Sequence, residues 1–428
     1  MENKFSNLSI EQLCNGLRNS NIKLSDYIVA TMTHIDASDS SIHAFLPERN
    51  RKERLLEEAA RLLEIYQDAC NRPPLFGLLV GVKDLLNVDG MPTRAGSKLP
   101  AEAFVGNEAE VVTKLKQLGA IVLGKTVSTE FAYFSPGETS NPVNPLHTPG
   151  GSSSGSAAAV AAGYCHAALG TQTIASIIRP ASYCGVYGFK PSWGRISTEG
   201  AFPFSQSADH VGIICRSMDD ISFLSKYLLD KWKACDEQPK PRLGCVKGTY
   251  LMQASESVRE NYKRTVDNYR HKGHEVVECD PFGDIEIINA KHRKLIAAEF
   301  TINHKALFEK YSYLYSEHSK QLFSEGLKVS RAELQELKQA QILLRDRIQV
   351  LMSDEGINLW ITPSTTTTAP FGLNSTGSPL MSLPWTNAGM PSLTIPDSFD
   401  AGGLPFGLQI VGSYQQDEFC VSTRIFCH

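Results

Sequence analysis

Residues 150–191 read GGSSSGSAAAVAAGYCHAALGTQTIASIIRPASYCGVYGFKP, and this stretch decides the fold. Glycine and serine are dense in residues 150–155 and polar small residues return in 170–176, with an alanine-rich segment at 156–162 between them. Small residues let backbone N–H groups approach a ligand closely, and alanine favours a closely packed helix. The pattern predicts a polar loop, a buried helix, a strand and a second polar loop. Two serine-bearing loops at the ends of buried elements would form the floor of a catalytic site.

A lysine stands at the end of an apolar run upstream of this stretch. Residues 75–82 are apolar with glycines, which is typical of a buried strand, and Lys83 follows directly. Burying an ammonium group is costly unless the group is paired or loses its proton. The simpler interpretation is a lysine that reaches solvent or pairs with Asp84. Because the chain also contains the two serine loops, we favour Lys83 as a catalytic base.

Three motifs together resemble those of the amidase signature family, serine hydrolases that use a Ser-Ser-Lys triad. They are the VGVKD sequence at 80–84, the serine-rich stretch, and GVYGFKPSWGR at 185–195. The resemblance runs from the first helices to Val411, with a divergent middle. It implies that Ser176 is the nucleophile, Ser152 the bridging serine and Lys83 the general base.

Amide hydrolysis needs a base, a nucleophile, donors for the oxyanion and a proton for the leaving amine. A desolvated Lys83 could take a proton, and Ser152 could relay protons between Lys83 and Ser176 and then to the leaving nitrogen. Backbone N–H groups would form the oxyanion hole. The residues expected to supply them are Thr173, Ile174, Ala175 and Ser176.

The nucleophile loop departs from the family pattern in two ways. Ile174 and Ala175 stand where two glycines are usual, which narrows the pocket and restricts φ. Gln172 and Ile178 replace a usual aspartate and arginine, and an arginine stands one residue later as Arg179. On an extended segment this shift would redirect the side chain to another face. The IRP sequence resembles the malonamidase-like branch, in which the arginine faces a substrate carboxylate. The alternative is an Arg179 paired with an acidic neighbour.

The resemblance also implies the fold class. We expect one α/β amidase-signature domain over residues 1–428, with a mixed, mostly parallel central sheet covered by helices on both sides. Its signature core would span about 75–220 and its divergent helical part about 225–355. Late strands are predicted at 357–363, 381–396 and 404–411, and the family's final helix is expected to be curtailed at 425–428.

Composition excludes several classes of function. The formal net charge of −4 and the lack of a long basic run argue against a nucleic-acid partner. No apolar stretch reaches the roughly 20 residues that span a bilayer, and the N-terminal residues lack the apolar core of a secretory signal. The ten cysteines are scattered without CxxC pairs, so we expect reduced thiols and a cytoplasmic location. No metal or cofactor is implied.

Four alternative functions are left open by the sequence. The GSSSG sequence also fits a nucleophile elbow, which would make Ser153 the nucleophile of an α/β-hydrolase, but residues 141–148 are too rich in proline and asparagine to be the required strand. An amidotransferase A-type subunit would use the same triad with partner subunits, although the altered charges around the nucleophile argue mildly against it. An acyltransferase would pass the acyl group to an amine. A non-catalytic binding protein is disfavoured by the intact triad.

The expected partner is a small amide, with a carboxylate near the scissile bond for Arg179 to bind. A homodimer is the assembly kept open.

Overall fold

The computed structural model describes residues 4–234 and 240–423 and places ten strands of this part of the chain in one sheet. The strands are β1 (Leu79–Lys83), β2 (Ile121–Thr126), β3 (Ala167–Gln172), β4 (Tyr187–Lys190), β5 (His210–Cys215), β6 (Leu243–Val246), β7 (Val276–Cys279), β8 (Leu359–Pro363), β9 (Ser392–Phe399) and β10 (Pro405–Gly412). Their order across the sheet is β2-β1-β3-β5-β4-β9-β10-β8-β6-β7.

The expected mixed sheet is confirmed, but parallel pairing does not predominate. Four of its nine pairings are parallel and join β1 to β2, β1 to β3, β6 to β7 and β6 to β8. The other five, which link β3 through β5, β4, β9 and β10 to β8, are antiparallel. The centre of the sheet is therefore antiparallel, and each end is parallel.

Helices flank the sheet, so the α/β class is confirmed. They are α1 (Ile10–Arg18), α2 (Leu24–Ile42), α3 (Arg51–Ile65), α4 (Glu110–Gln117), α5 (Ser154–Ala161), α6 (Ile178–Tyr183), α7 (Met218–Leu228), α8 (Glu256–His271), α9 (Ile285–Tyr311), α10 (Glu317–Gly326), α11 (Arg331–Asp354), α12 (Leu383–Asn387) and α13 (Asp417–Ser422). Helix α5 is the predicted alanine-rich helix. It packs on β1, β2 and β3, and every residue from Ser154 to Val160 is buried. Alanine and glycine permit this close approach, since an added Cβ on Gly155 would overlap the carbonyl oxygen of Ala44.

One predicted strand and one predicted extended segment are wrong in ways that shape the site. The segment 381–396 does not form one strand, because its first half is helix α12 and only Ser392–Phe399 is β9. A proline in the first turn of α12 and Gly389 with φ of +70° just beyond its end are the features that favour a short helix. Arg179 was expected on an extended segment, but it lies in α6.

The parallel pair β1 and β3 brings the two motif regions to one edge of the sheet. Val82 pairs with Leu169, so Lys83 at the end of β1 lies beside Thr171 near the end of β3. The division of the chain into a signature core and a later helical part stays a prediction. Residues 425–428, where a curtailed final helix is expected, lie outside the described residues.

Candidate active site

The amine of Lys83 lies among three oxygen atoms in the protein interior. Its Nζ is 2.6 Å from Ser152 Oγ, 2.7 Å from Thr171 Oγ1 and 3.2 Å from the carbonyl oxygen of Thr171. The side chain is fully buried. The strand-end lysine therefore reaches the first serine loop, as the sequence predicts, and does not reach solvent.

Burial lowers the pKa of Lys83 well below its usual value. The nearby negative charge of Asp209 opposes this shift, and the positive charge of Arg179 adds to it. The pairing of Lys83 with Asp84, the simpler alternative, is wrong. Asp84 lies 2.9 Å from Lys125 Nζ instead, and no ion pair within the described residues includes Lys83.

The two serine loops meet above the end of β3. The backbone N–H of Ser153 donates to the carbonyl oxygen of Ser176 at 3.2 Å, which places the loop of Ser152 beside that of Ser176. Ser153 Oγ donates to the carbonyl of Thr171 at 3.2 Å and accepts from its N–H at 3.3 Å. Ser152 follows a cis peptide bond from Gly151. Lys83, Ser152 and Ser176 are thus gathered at one site, each buried to at least 95%.

The segment between β3 and α6 contains residues 173–176, whose backbone N–H groups are expected to form the oxyanion hole. Among the hydrogen bonds of the described residues, none is donated by a backbone N–H of residues 173–176. The next two N–H groups, those of Ile177 and Ile178, donate to Gln172 Oε1 at 2.8 and 3.0 Å. Gln172 therefore satisfies the first N–H groups of the α6 turn with a neutral amide, where the family's usual residue is charged.

Arg179 is buried and bonded to backbone carbonyls. Its Nε and Nη2 donate to the oxygen of Gly151 at 3.2 and 2.7 Å, and its Nη1 donates to that of Gly377 at 2.5 Å. Burial lowers its pKa to about 10. The alternative of an acidic neighbour is wrong for the described residues, because no ion pair there includes Arg179. The guanidinium thus ties the residue before Ser152 to the loop that precedes α12.

Sequence reasoning missed Thr171 and Asp209. Thr171 contacts Lys83 through both its hydroxyl and its carbonyl, and Asp209 Oδ1 accepts from Thr173 Oγ1 at 2.6 Å. Burial raises the pKa of Asp209 to about 6. A threonine beside the nucleophile loop is visible in the sequence, but only the pairing of β3 with β1 reveals that it faces the lysine. Within the described residues no group of three or more His, Cys, Asp or Glu could hold a metal ion.

Comparisons with known proteins identify the family of the chain. The family model described as Amidase matches residues 26–421. The chain belongs to the amidase family. It is 31% identical to the A subunit of glutamyl-tRNA(Gln) amidotransferase from Prochlorococcus marinus (strain MIT 9211), over 92% of this chain and 91% of that protein. A relative with the same name from Exiguobacterium sibiricum is 29% identical over 93% of this chain and 92% of its own length.

Solved structures of the family have the same fold. The crystal structure of an amidase superposes with a TM-score of 0.86 at 28% identity, covering 97% of this chain and 98% of the other. This amidase family member is therefore an enzyme that acts on amide bonds, with the single-domain α/β fold expected from its signature. Its similarity to amidotransferase subunits does not place it in the malonamidase-like branch, so that finer assignment becomes a proposal. No helix of the described part of the chain is long and apolar enough to cross a membrane.

Proposed function

We propose that the enzyme is an amidase that forms an acyl-enzyme on Ser176, with Lys83 as base and Ser152 as proton relay. The contact of 2.6 Å between Lys83 Nζ and Ser152 Oγ carries the proposal. A neutral amine has two N–H donors and one lone pair. The hydroxyl and carbonyl oxygens of Thr171 are positioned to accept the two N–H groups, which leaves the lone pair to accept the hydroxyl proton of Ser152.

The reaction then conserves its protons. Ser152 gives a proton to Lys83 and takes one from Ser176, whose Oγ bonds to the substrate carbonyl carbon. The carbonyl oxygen becomes an oxyanion near the N–H groups of residues 173–176, each of which is free of other partners in the described structure. The proton returns through Ser152 to the leaving nitrogen as the C–N bond breaks. Water, activated by the same relay, hydrolyses the ester on Ser176.

Arg179 supports a substrate with a carboxylate, the feature of the malonamidase-like branch. Its guanidinium has five N–H donors, and three are used on the carbonyls of Gly151 and Gly377. A buried arginine with two donors left and no acidic partner among the described residues suits a carboxylate that arrives with the ligand. A small amide with a carboxylate near the scissile bond is therefore the proposed substrate.

An amidotransferase A-type subunit is the second candidate. The two relatives that are A subunits of glutamyl-tRNA(Gln) amidotransferase, 31% and 29% identical over most of both chains, favour it. Such a protein would use the same acyl-enzyme but would need partner subunits and an acceptor for ammonia. An acyltransferase that passes the acyl group to an amine differs only in its acceptor.

A panel of matched amides tests these choices. Each pair has the same scissile amide with and without a neighbouring carboxylate, and glutamine is included; wild type, Arg179→Ala and Ser176→Ala are assayed with and without added amines. We expect wild type to prefer the acids, Arg179→Ala to lose that preference by about 10²-fold or more, and Ser176→Ala to be inactive. Equal rates on both members of each pair would end the carboxylate proposal. New amides formed from added amines would establish the acyltransferase, and hydrolysis of glutamine alone would favour the amidotransferase.

Location and assembly stay proposals. The eight cysteines within the described residues are all free, in keeping with a reducing cytoplasm. Light scattering of the purified enzyme would show whether it is the homodimer kept open above.

A further inference from the structure

The four peptide groups that carry the proposed oxyanion donors each have a hydrogen-bonding partner at their carbonyl oxygen, on the side opposite the N–H. Each carbonyl oxygen of residues 172–175 lies at hydrogen-bond distance from one nitrogen or hydroxyl group. The pairs are Gln172 O with His210 Nδ1 at 3.2 Å, Thr173 O with His292 Nε2 at 3.1 Å, Ile174 O with Thr386 Oγ1 at 2.7 Å, and Ala175 O with the N–H of Arg179 at 2.9 Å. His210 Nδ1 is shared, because it also lies 2.7 Å from the carbonyl oxygen of Ala208.

This arrangement fixes the direction of the N–H groups. In a trans peptide group the carbonyl of one residue and the N–H of the next point in opposite directions. The carbonyl of Thr173 points toward His292, so the N–H of Ile174 points away from that ring. The carbonyl of Ile174 points toward Thr386, so the N–H of Ala175 points away from that hydroxyl. Both N–H groups are without a partner among the described residues.

His292 and Thr386 come from elements remote from the serine loops. His292 lies on α9 and Thr386 on α12, and both are buried to 99%. Thr386 Oγ1 accepts from Gln172 Nε2 at 2.9 Å, so its proton is directed to the carbonyl of Ile174. Gln172, where the family usually has aspartate, thereby sets the orientation of this hydroxyl.

The tautomer of His292 is set in a similar way. Burial lowers the pKa of His292, so the ring is neutral near pH 7 and donates through one nitrogen only. The carbonyl of Thr173 can only accept, so in this contact Nε2 carries the ring proton and Nδ1 is an acceptor. Nδ1 lies 3.0 Å from Oδ1 of Asn387, the neighbour of Thr386 on α12. The two ends of an amide are assigned from the hydrogen-bond network, and this network requires the Asn387 amide to turn over and present its NH₂ to Nδ1.

We infer that His292 and Thr386 are positioning residues that aim the N–H groups of Ile174 and Ala175 at the oxyanion. The inference rests on the proposed acyl-enzyme on Ser176. Glycines at 174 and 175 would leave these peptide groups free to rotate, and the side chains present here restrict φ without choosing the direction of the N–H. The two side-chain donors make that choice, and they do so without touching the substrate.

The test measures how fast a neutral fluorophosphonate labels Ser176, because attack on phosphorus puts negative charge on the phosphoryl oxygen. At each of the two positions we pair a substitution that keeps a hydrogen-bond donor to the peptide carbonyl with one that removes it. His292→Gln carries an amide N–H at the position of Nε2, and His292→Asn carries it at that of Nδ1. Thr386→Ser keeps the hydroxyl, and Thr386→Val removes it. His166→Asn, a buried histidine bonded to Phe5 near the start of β3, is the control for loss of a core ring.

We expect His292→Asn and Thr386→Val to slow labelling per folded molecule by about 10- to 100-fold, somewhat less than removal of an oxyanion donor. His292→Gln and Thr386→Ser should recover most of the rate, and His166→Asn should match wild type. The pH at which labelling rises should stay the same in all five, because Lys83 is untouched; a changed profile would overturn the inference.

Other outcomes also decide the matter. Wild-type labelling rates in the folded Asn and Val variants would overturn the positioning role while leaving the acyl-enzyme intact. Equal losses within each matched pair would show that the donor is irrelevant. If neither the Asn nor the Val variant folds, the residues are structural and the inference is wrong. A wild-type enzyme that is not labelled at Ser176 would overturn both the inference and the proposed function.

Discussion

The adjacent hydroxyls of Ser152 and Ser153 have different partners, so alanine at each position should produce opposite results. Ser152 Oγ lies 2.6 Å from Lys83 Nζ. Ser153 Oγ instead bridges the backbone N–H and carbonyl of Thr171, at 3.3 and 3.2 Å, in a fully buried position. Ser152→Ala therefore interrupts the proposed proton path, whereas Ser153→Ala removes a structural link between α5 and β3.

The sizes of the two effects follow from these contacts. A positioned acid–base group contributes about 10²- to 10⁴-fold to rate, so Ser152→Ala should lower the labelling rate of Ser176 by that factor. Its free energy of unfolding should fall by only about 1 kcal/mol, the net worth of one hydrogen bond. Ser153→Ala leaves two buried backbone groups of Thr171 without this partner and should cost about 1–3 kcal/mol. Its labelling rate per folded molecule should stay near that of wild type.

Urea denaturation measures the stability of both variants, and fluorophosphonate labelling with peptide mass spectrometry measures the rate and the site. The α/β-hydrolase alternative predicts the reverse pattern. A folded Ser153→Ala that is no longer labelled, beside a Ser152→Ala that reacts at the wild-type rate, would refute the Ser-Ser-Lys assignment.

Three further predictions concern charge. Because burial lowers the pKa of Lys83, the labelling rate should rise as the ammonium loses its proton, and this rise should lie well below the usual pKa of lysine; a rise centred near that usual value would contradict the mechanism. Asp209→Asn removes a charge that raises this pKa and should move the rise to lower pH, whereas Arg179→Gln should move it to higher pH; shifts of the same sign would contradict the electrostatic account. Arg195→Ala should cost about 3–5 kcal/mol of unfolding free energy, because it leaves two carboxylates of α13, at 2.7 and 3.2 Å, without their buried partner. Arg270→Ala, which breaks exposed ion pairs, should cost less than about 1 kcal/mol, and equal losses would contradict the difference in burial.

Local patterns in the sequence predicted the parts of the site that depend on neighbours along the chain. The alanine-rich segment predicted α5, because this signal is contained within a few residues. The gathering of Lys83 with the serines was expected from the family motifs and agrees with the contact to Ser152.

Contacts across the chain were not predictable in this way. Arg179 stands one residue after the family's usual arginine, and the sequence predicted it on an extended segment with its side chain redirected to another face. Instead, Gln172 accepts from the first N–H groups of the turn, and Arg179 lies in helix α6. The apolar run at 381–396 reads as a strand, and its division into α12 and β9 brings Thr386 under the nucleophile loop. Nothing in the sequence near His292 indicates that its ring meets the carbonyl of Thr173, 119 residues away.

The three lysines that are buried to at least 95% show why position alone does not make a base. Burial lowers the pKa of Lys125, but the carboxylate of Asp84, 2.9 Å from its Nζ, favours the charged amine and opposes this shift. Lys190 donates to the carbonyls of Pro191 and Met390, and a carbonyl has no proton to give in return. Lys83 alone of the three contacts a serine hydroxyl, that of Ser152, without any carboxylate at ion-pair distance in the described structure. Its amine can therefore be neutral, accept a proton from Ser152 and return it. That combination of a low pKa and an exchangeable hydroxyl partner is what acyl transfer requires.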